Sequence, residues 1–272
     1  MKTNRKELSL MLFSNEERCL YAQPAAHEVI CQLRFPTILS IESREPADFQ
    51  EEIRSRFPLY TQRKETGPAA IIQRGGAPEL QTPQPVTNYH FVTEDHLWKL
   101  NLTKNFISLS TLRYTGWEDF AAVLDQTLAA FIRIYQPAFF ERIGLRYRNI
   151  ISRSALELED CEWRELICSS YLGALADEDM NSAMIKRMAT DLELALSENC
   201  RARIHAEPVH MKIPGTNQAE AEEKFMLDMD LSMLGNISAQ LAAGALETLH
   251  SHSTRIFRGA ITDTLHEAMK PL

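Results

Sequence analysis

Phe139-Phe140-Glu141-Arg142-Ile143-Gly144-Leu145-Arg146-Tyr147-Arg148-Asn149-Ile150-Ile151 lies close to the middle of the 272-residue chain. Read with a period of two, it places Ile143, Leu145, Tyr147 and Asn149 on one side and Arg142, Arg146 and Arg148 on the other. That is the pattern of a strand with one face covered and one facing water. The segments on its N-terminal and C-terminal sides look like two versions of one plan, and this reading decides the expected fold.

Upstream, Val29, Cys31, Leu33 and Phe35 alternate with Ile30, Gln32 and Arg34 in a first strand that Pro36 stops. Pro46 opens a short amphipathic helix in which Phe49, Ile53 and Phe57 recur at four-residue spacing before Pro58. Gly67-Pro68, Gly75-Gly76-Ala77-Pro78, Pro83 and Pro85 mark loops around a short strand at 70–74. Three runs rich in β-branched and aromatic residues come next, at 89–93, 97–102 and 106–112, and their short polar breaks predict antiparallel hairpins. Thr115 and Glu118 have capping-box spacing ahead of Trp117, Ala121, Leu124, Leu128, Phe131 and Tyr135, a long amphipathic helix ending before Pro137.

Downstream of the central stretch the plan recurs. Asp160 is placed to cap a helix with Trp163, Leu166, Ile167, Ser170 and Leu175 on its apolar stripe. Alternating runs at 191–196, 201–205 and 225–231 predict three strands, and the proline-free stretch from 237 to about 269 predicts a long closing helix. The expected class is α+β. Two fused β-α-β(3–4)-α halves, 23–136 and 137–272, come after an N-terminal arm at 1–22, as an internal duplication. Each half has an antiparallel sheet covered on one face by long helices. This order of elements is similar to the TATA-binding-protein-like and helix-grip folds, a likeness of architecture that brings no ligand with it.

Three landmarks carry a resemblance. Pro24-Ala25-Ala26-His27-Glu28-Val29-Ile30, Tyr114-Thr115-Gly116-Trp117-Glu118-Asp119-Phe120 and Arg142-Ile143-Gly144-Leu145-Arg146-Tyr147-Arg148-Asn149 resemble, in order, those of a sporadically distributed prokaryotic family of unknown function. Gly-Leu-Arg-Tyr-x-Asn is the most specific part. Arg148 departs from the pattern, which prefers an apolar residue there, and Ala25 replaces a larger aliphatic. The resemblance implies a standalone cytoplasmic protein with no established activity. A patchy distribution fits mobile or defence-associated islands and a partner encoded nearby.

Composition narrows the classes of function. Apolar residues make up 44% of the chain, enough for a large core, and the net charge of −8 supplies no global cationic field for phosphate backbones or anionic lipid. Cys19, Cys31, Cys161, Cys168 and Cys200 form no CxxC pair, a usage that suits reduced thiols in the cytoplasm. The run at 8–13 is short for a signal peptide and no stretch reaches eighteen apolar residues, so a soluble cytoplasmic protein without membrane contact is expected.

Parity places Arg142, Arg146, Arg148, Asp191, Glu193, Arg201, Arg203, His205, Asp228 and Asp230 together on the water-facing side of the second sheet. Opposite charges pairing across strands explain such a face by solubility alone. Alternatively, Arg142, Arg146, Arg148, Arg201 and Arg203 bind an anionic or macromolecular partner, protein or nucleic acid, through forked donors. From a different class comes metal-dependent phosphoryl transfer or nuclease chemistry on Asp228 and Asp230, with Asp191 or Glu193 as third ligand. No cofactor is expected, because no phosphate-cradling glycine loop, HExxH or GxSxG pattern occurs. His250 and His252 are about 200° apart around a helix and do not chelate one ion together. Tyr147 and Asn149 share the covered face by parity and are expected to tie their strand to the junction between halves. The closing helix has more than one apolar stripe, which leaves room for a homodimer.

Overall fold

The computed structural model describes residues 13–14, 19–66, 70–72, 79–81, 84–181, 184–210 and 222–272. In chain order these form β1 (Ala26–Arg34), α1 (Leu39–Ser43), α2 (Ala47–Ile53), β2 (Leu59–Glu65), β3 (Ala70–Ile72), β4 (Glu79–Gln81), β5 (Val86–Val92), β6 (Trp98–Leu102) and β7 (Phe106–Thr111). Then come α3 (Trp117–Tyr135), β8 (Phe140–Ile151), α4 (Trp163–Leu166), β9 (Thr190–Ala195), β10 (Cys200–His210), β11 (Glu223–Ile237), α5 (Ala242–Ala260) and α6 (Asp263–Ala268).

Nine of the strands make one antiparallel sheet in the order β2-β5-β6-β7-β1-β8-β11-β10-β9, while β3 and β4 pair separately. This corrects the expectation of two fused halves with their own sheets. β1 and β8 pair directly from Glu28↔Arg148 to Arg34↔Arg142, and β1 pairs with β7 on its other side. Two strands whose ladders would otherwise be exposed edges therefore satisfy each other. Val29, Cys31 and Leu33 stand opposite Tyr147, Leu145 and Ile143 over one continuous core. A period of two reports which face a side chain takes but not which strand lies alongside, so the shared sheet was invisible to patterning.

The helices α3 and α5 cover one face. On α3, Trp117, Leu124, Leu128 and Phe131 of the expected stripe are buried, Phe120 is buried where Ala121 was expected, Ala121 and Tyr135 are half-buried, and Phe131 packs on Phe35 with ring centroids 4.8 Å apart. Its start differs from expectation. Gly116 occupies the cap position without a side-chain bond, and the Thr115 hydroxyl donates to Asp119 at 2.6 Å. The capping box is absent, and Glu118 and Asp119 favour the positive helix end through charge instead.

Three further expectations are corrected. The helix assigned to Trp163, Leu166, Ile167, Ser170 and Leu175 is a single turn, α4, because Ile167 turns extended and bridges to Ile261. The closing helix is divided: β11 runs on to Ile237, and α5 stops at Ala260, where Ile261 is extended and Thr262 caps α6 by accepting from the Leu265 amide. The strand β2, after Pro58, has every residue exposed and gave no alternating signal. Most of the arm at 1–22 and part of the loop strand at 70–74 lie outside the described residues.

Residues 20–23 pair with residues 269–272. Ala22 and Gln23 donate their amides to Lys270 and Met269, and Leu272 donates to Leu20, at 2.8 to 3.0 Å. Among the described residues, no helix is long and apolar enough to cross a membrane.

Candidate functional site

The face of the sheet opposite α3 and α5 carries the charged residues that parity groups together, and the register brings them into rows. Glu28, Arg148, Asp228, His205 and Asp191 lie opposite one another across β1, β8, β11, β10 and β9. One step along, Arg146, Asp230, Arg203 and Glu193 form a second row. Charge alternates along both rows. Leu145, Tyr147, Met229 and Ile204, from the intervening positions, are buried beneath the helices. The parity read from the central stretch therefore holds in β8, β9, β10 and β11.

The contacts are partly diagonal. Arg146 grips Asp228 with both forks, Nε donating to Oδ1 at 2.7 Å and a terminal nitrogen to Oδ2. The guanidinium is held even further above its ordinary pKa, chiefly by those hydrogen bonds. Arg148 donates to Glu28 at 2.8 Å and lies 3.8 Å from Asp228. Arg142 reaches Asp230 at 2.8 Å by lying over Gly144, where a Cβ would collide with its guanidinium. The glycine in Gly-Leu-Arg-Tyr-x-Asn thus clears a path for an ion pair.

Towards the edge the pairing loosens. Arg201 and Arg203 share the one carboxylate of Glu193 at 3.9 and 3.6 Å, and their side chains are 54% and 74% exposed. Next to them His205 bonds to Asp191 at 2.7 Å and approaches Glu207 at 3.2 Å, and these two carboxylates raise its pKa above the usual imidazole value. Arg146, Asp191, Glu193, Arg203, His205, Asp228 and Asp230 line a depression of about 330 Å³. Across β1 the same face changes character: His90, Asn101 and Ser108 form a neutral hydrogen-bonded chain, and burial lowers the His90 pKa.

As a metal centre the constellation is poorly made. Asp228 is held by Arg146 and Asp230 by Arg142. Asp191 and Glu193 stand on β9, with β10 between them and β11, so about 9–10 Å of sheet separates the two carboxylate pairs. Ligands of one divalent ion sit far closer together. Among the described residues no three His, Cys, Asp or Glu side chains are grouped to hold an ion.

A second constellation gives the expected tie of Tyr147 and Asn149 its partners, of which His250, Trp117 and Glu247 were not foreseen. Beneath the sheet the Tyr147 hydroxyl is 2.8 Å from His250 Nδ1, the His250 ring stacks on Trp117 at 4.5 Å, and Trp117 donates its indole N–H to Glu247 at 2.7 Å. Asn149 donates to the Leu227 carbonyl at 3.1 Å. Tyr147 and Asn149 thus tie β8 to α5 and β11. The available signal was the presence of two polar side chains at positions that parity assigns to the core.

A scan of the chain against protein-family models matches none, and a search of curated proteins finds no match.

Proposed function

We propose that the protein is a non-catalytic binding protein that contacts a macromolecular partner through the charged face at β9, β10 and β11, and that this partner is a protein. The observation that carries the reading is the split between held and exposed arginines. Arg142, Arg146 and Arg148 are each fixed by a carboxylate within 2.8 Å and make a rigid floor. Arg201 and Arg203 share a single carboxylate at long range and present forked donors to solvent.

The alternation of sign supports a protein over a nucleic acid. A phosphate backbone laid across the rows meets Glu28, Asp191, Glu193, Asp228 and Asp230 as well as the arginines, in a chain of net charge −8. A protein surface of mixed charge complements both signs, which favours specificity and register. The family resemblance supports a partner encoded nearby, in a mobile-element or defence-associated setting.

The test is co-purification from the native host with identification by mass spectrometry, comparing wild type with Arg201→Glu/Arg203→Glu. The reading requires that the variant keep its melting temperature and lose the partner that wild type retains. Equal retention, or nucleic acid as the retained species, overturns it.

A further inference from the structure

Where β8 and β10 end and β11 begins, a recess of about 400 Å³ opens beside α4. Pro208, His210 and Glu223, which line it, share the parity of the helix-side residues Ile204 and Phe225. The recess is therefore separate from the charged face, and none of its residues stands in those rows. Trp163 forms one wall. Its ring packs on Phe225 with centroids 5.4 Å apart, the Arg153 guanidinium lies 4.5 Å over it, and its indole N–H donates to Glu223 at 2.8 Å. Those contacts hold the wall in place.

Positive charge converges on this recess from separate parts of the chain. Arg153 follows β8, Arg164 lies on α4, and Lys186 and Arg187 precede β9. The lining holds two carboxylates, and both are engaged. Glu162 pairs with Arg164 at 2.7 Å, while Glu223 takes the Trp163 N–H and stands 3.8 Å from Arg153. Among the described residues no carboxylate pairs with Lys186 or Arg187, and both are exposed. Four cations against two carboxylates leave a surplus of two positive charges, in a chain whose net charge is −8. Neighbouring like charges are relieved by a shared anion. Leu175, Ile185 and Met188 supply an apolar surface beside them.

We infer that this recess is a binding site for a small organic phosphate, a phosphomonoester whose charge is met by Lys186 and Arg187 and whose organic body lies against Leu175, Ile185 and Met188. A phosphomonoester carries about −1.5 to −2 at neutral pH, which matches the surplus. Arg recognises phosphate by a fork of donors and Lys as a point charge, so the two together suit one phosphate group. The volume falls in the range of small-molecule sites, roughly 300–1,000 Å³. The inference does not rest on the reading of the charged face.

The probes are phenyl phosphate, phenol and inorganic phosphate, titrated calorimetrically into the full chain at roughly 0.1 M salt. The inference requires saturable binding of phenyl phosphate at least about tenfold tighter than either phenol or inorganic phosphate, the worth of a charge-assisted hydrogen bond in the first case and of a buried ring in the second. It also requires that Lys186→Ala/Arg187→Ala weaken phenyl phosphate by about tenfold or more at the urea midpoint of wild type, and that Arg201→Glu/Arg203→Glu leave it within about twofold. Lack of saturation by phenyl phosphate at millimolar concentration overturns it, as does binding that the Lys186 and Arg187 substitutions leave unchanged. Loss of binding in the Arg201 and Arg203 variant places the anion on the charged face and overturns it as well. Inorganic phosphate bound as tightly as phenyl phosphate overturns the assignment of an organic body.

Discussion

Removing either partner of the Arg146–Asp228 pair should cost unequal amounts, because the two sit in different surroundings. The Asp228 side chain is 9% exposed, whereas that of Arg146 is 44% exposed. Arg146→Ala strands a carboxylate whose nearest remaining cation is Arg148, 3.8 Å away. A fully buried charge left alone costs about 3–5 kcal/mol. With Arg148 nearby, about 2–3 kcal/mol is expected. Asp228→Ala instead leaves a guanidinium that water can reach. The loss is then that of charge-assisted hydrogen bonds partly replaced by solvent, about 1–1.5 kcal/mol. The assay is urea unfolding of both single variants and the double variant, with far-ultraviolet dichroism and fluorescence midpoints required to coincide and slopes unchanged. The double variant should cost less than the sum of the singles. A cost for Arg146→Ala no larger than for Asp228→Ala would refute the claim that the face is held by a buried carboxylate under an exposed cation.

Other outcomes rest on the same geometry. Gly144→Ala should destabilise by no more than about 1 kcal/mol, since only the end of the flexible Arg142 side chain must move; it should also remove the Arg142–Asp230 coupling, so that Asp230→Ala costs less in the Gly144→Ala background than in wild type. Because the folded-state pKa of His205 is raised, its contribution to stability is fully present below the unfolded value of about 6.5 and is lost as pH rises through the higher folded value. Unfolding midpoints at pH 5.5 and 8.5 should therefore differ more for wild type than for His205→Gln, and equal differences would count against the Asp191 and Glu207 contacts. Leu145→Ala, at a fully buried position between β1 and β11, should cost about 2–5 kcal/mol by urea unfolding. Calorimetric titration with Mn²⁺ should give no saturable heat that Asp228→Ala removes, since arginines already hold both carboxylates.

What the sequence made legible was the face that each side chain takes. Leu145 in and Arg146 out is dictated by alternation alone, because a strand with one covered face segregates its residues by hydration. The same rule places Leu192, Ile204 and Met229 inward and Glu193, Arg203 and Asp230 outward, so the members of the charged face were identifiable before their contacts. Which charge meets which was not. Arg146 bypasses the opposite Asp230 for the diagonal Asp228, and Arg142 takes Asp230 only because Gly144 leaves room. Those choices depend on side-chain reach and sheet twist, to which a pattern of period two is blind. The helical period at Trp163 failed for a related reason. The extended bridge from Ile167 to Ile261 prevailed over a local propensity for helix. The Tyr147–His250–Trp117 cluster joins three segments far apart in sequence, and only the polarity of Tyr147 and Asn149 in a core register hinted at it.

The most direct test of the central claim, a partner-binding face whose inner arginines are structural and whose outer arginines make the contact, is the affinity of the purified partner for two charge variants. Arg201→Glu/Arg203→Glu should weaken binding by about tenfold or more at roughly 0.1 M salt, with the urea midpoint of wild type. Arg142→Ala should shift the midpoint downward and leave the affinity within about twofold. Were Arg142→Ala to weaken binding as much as the outer pair does, or the outer pair to leave it unchanged, the division of labour across this face would be wrong.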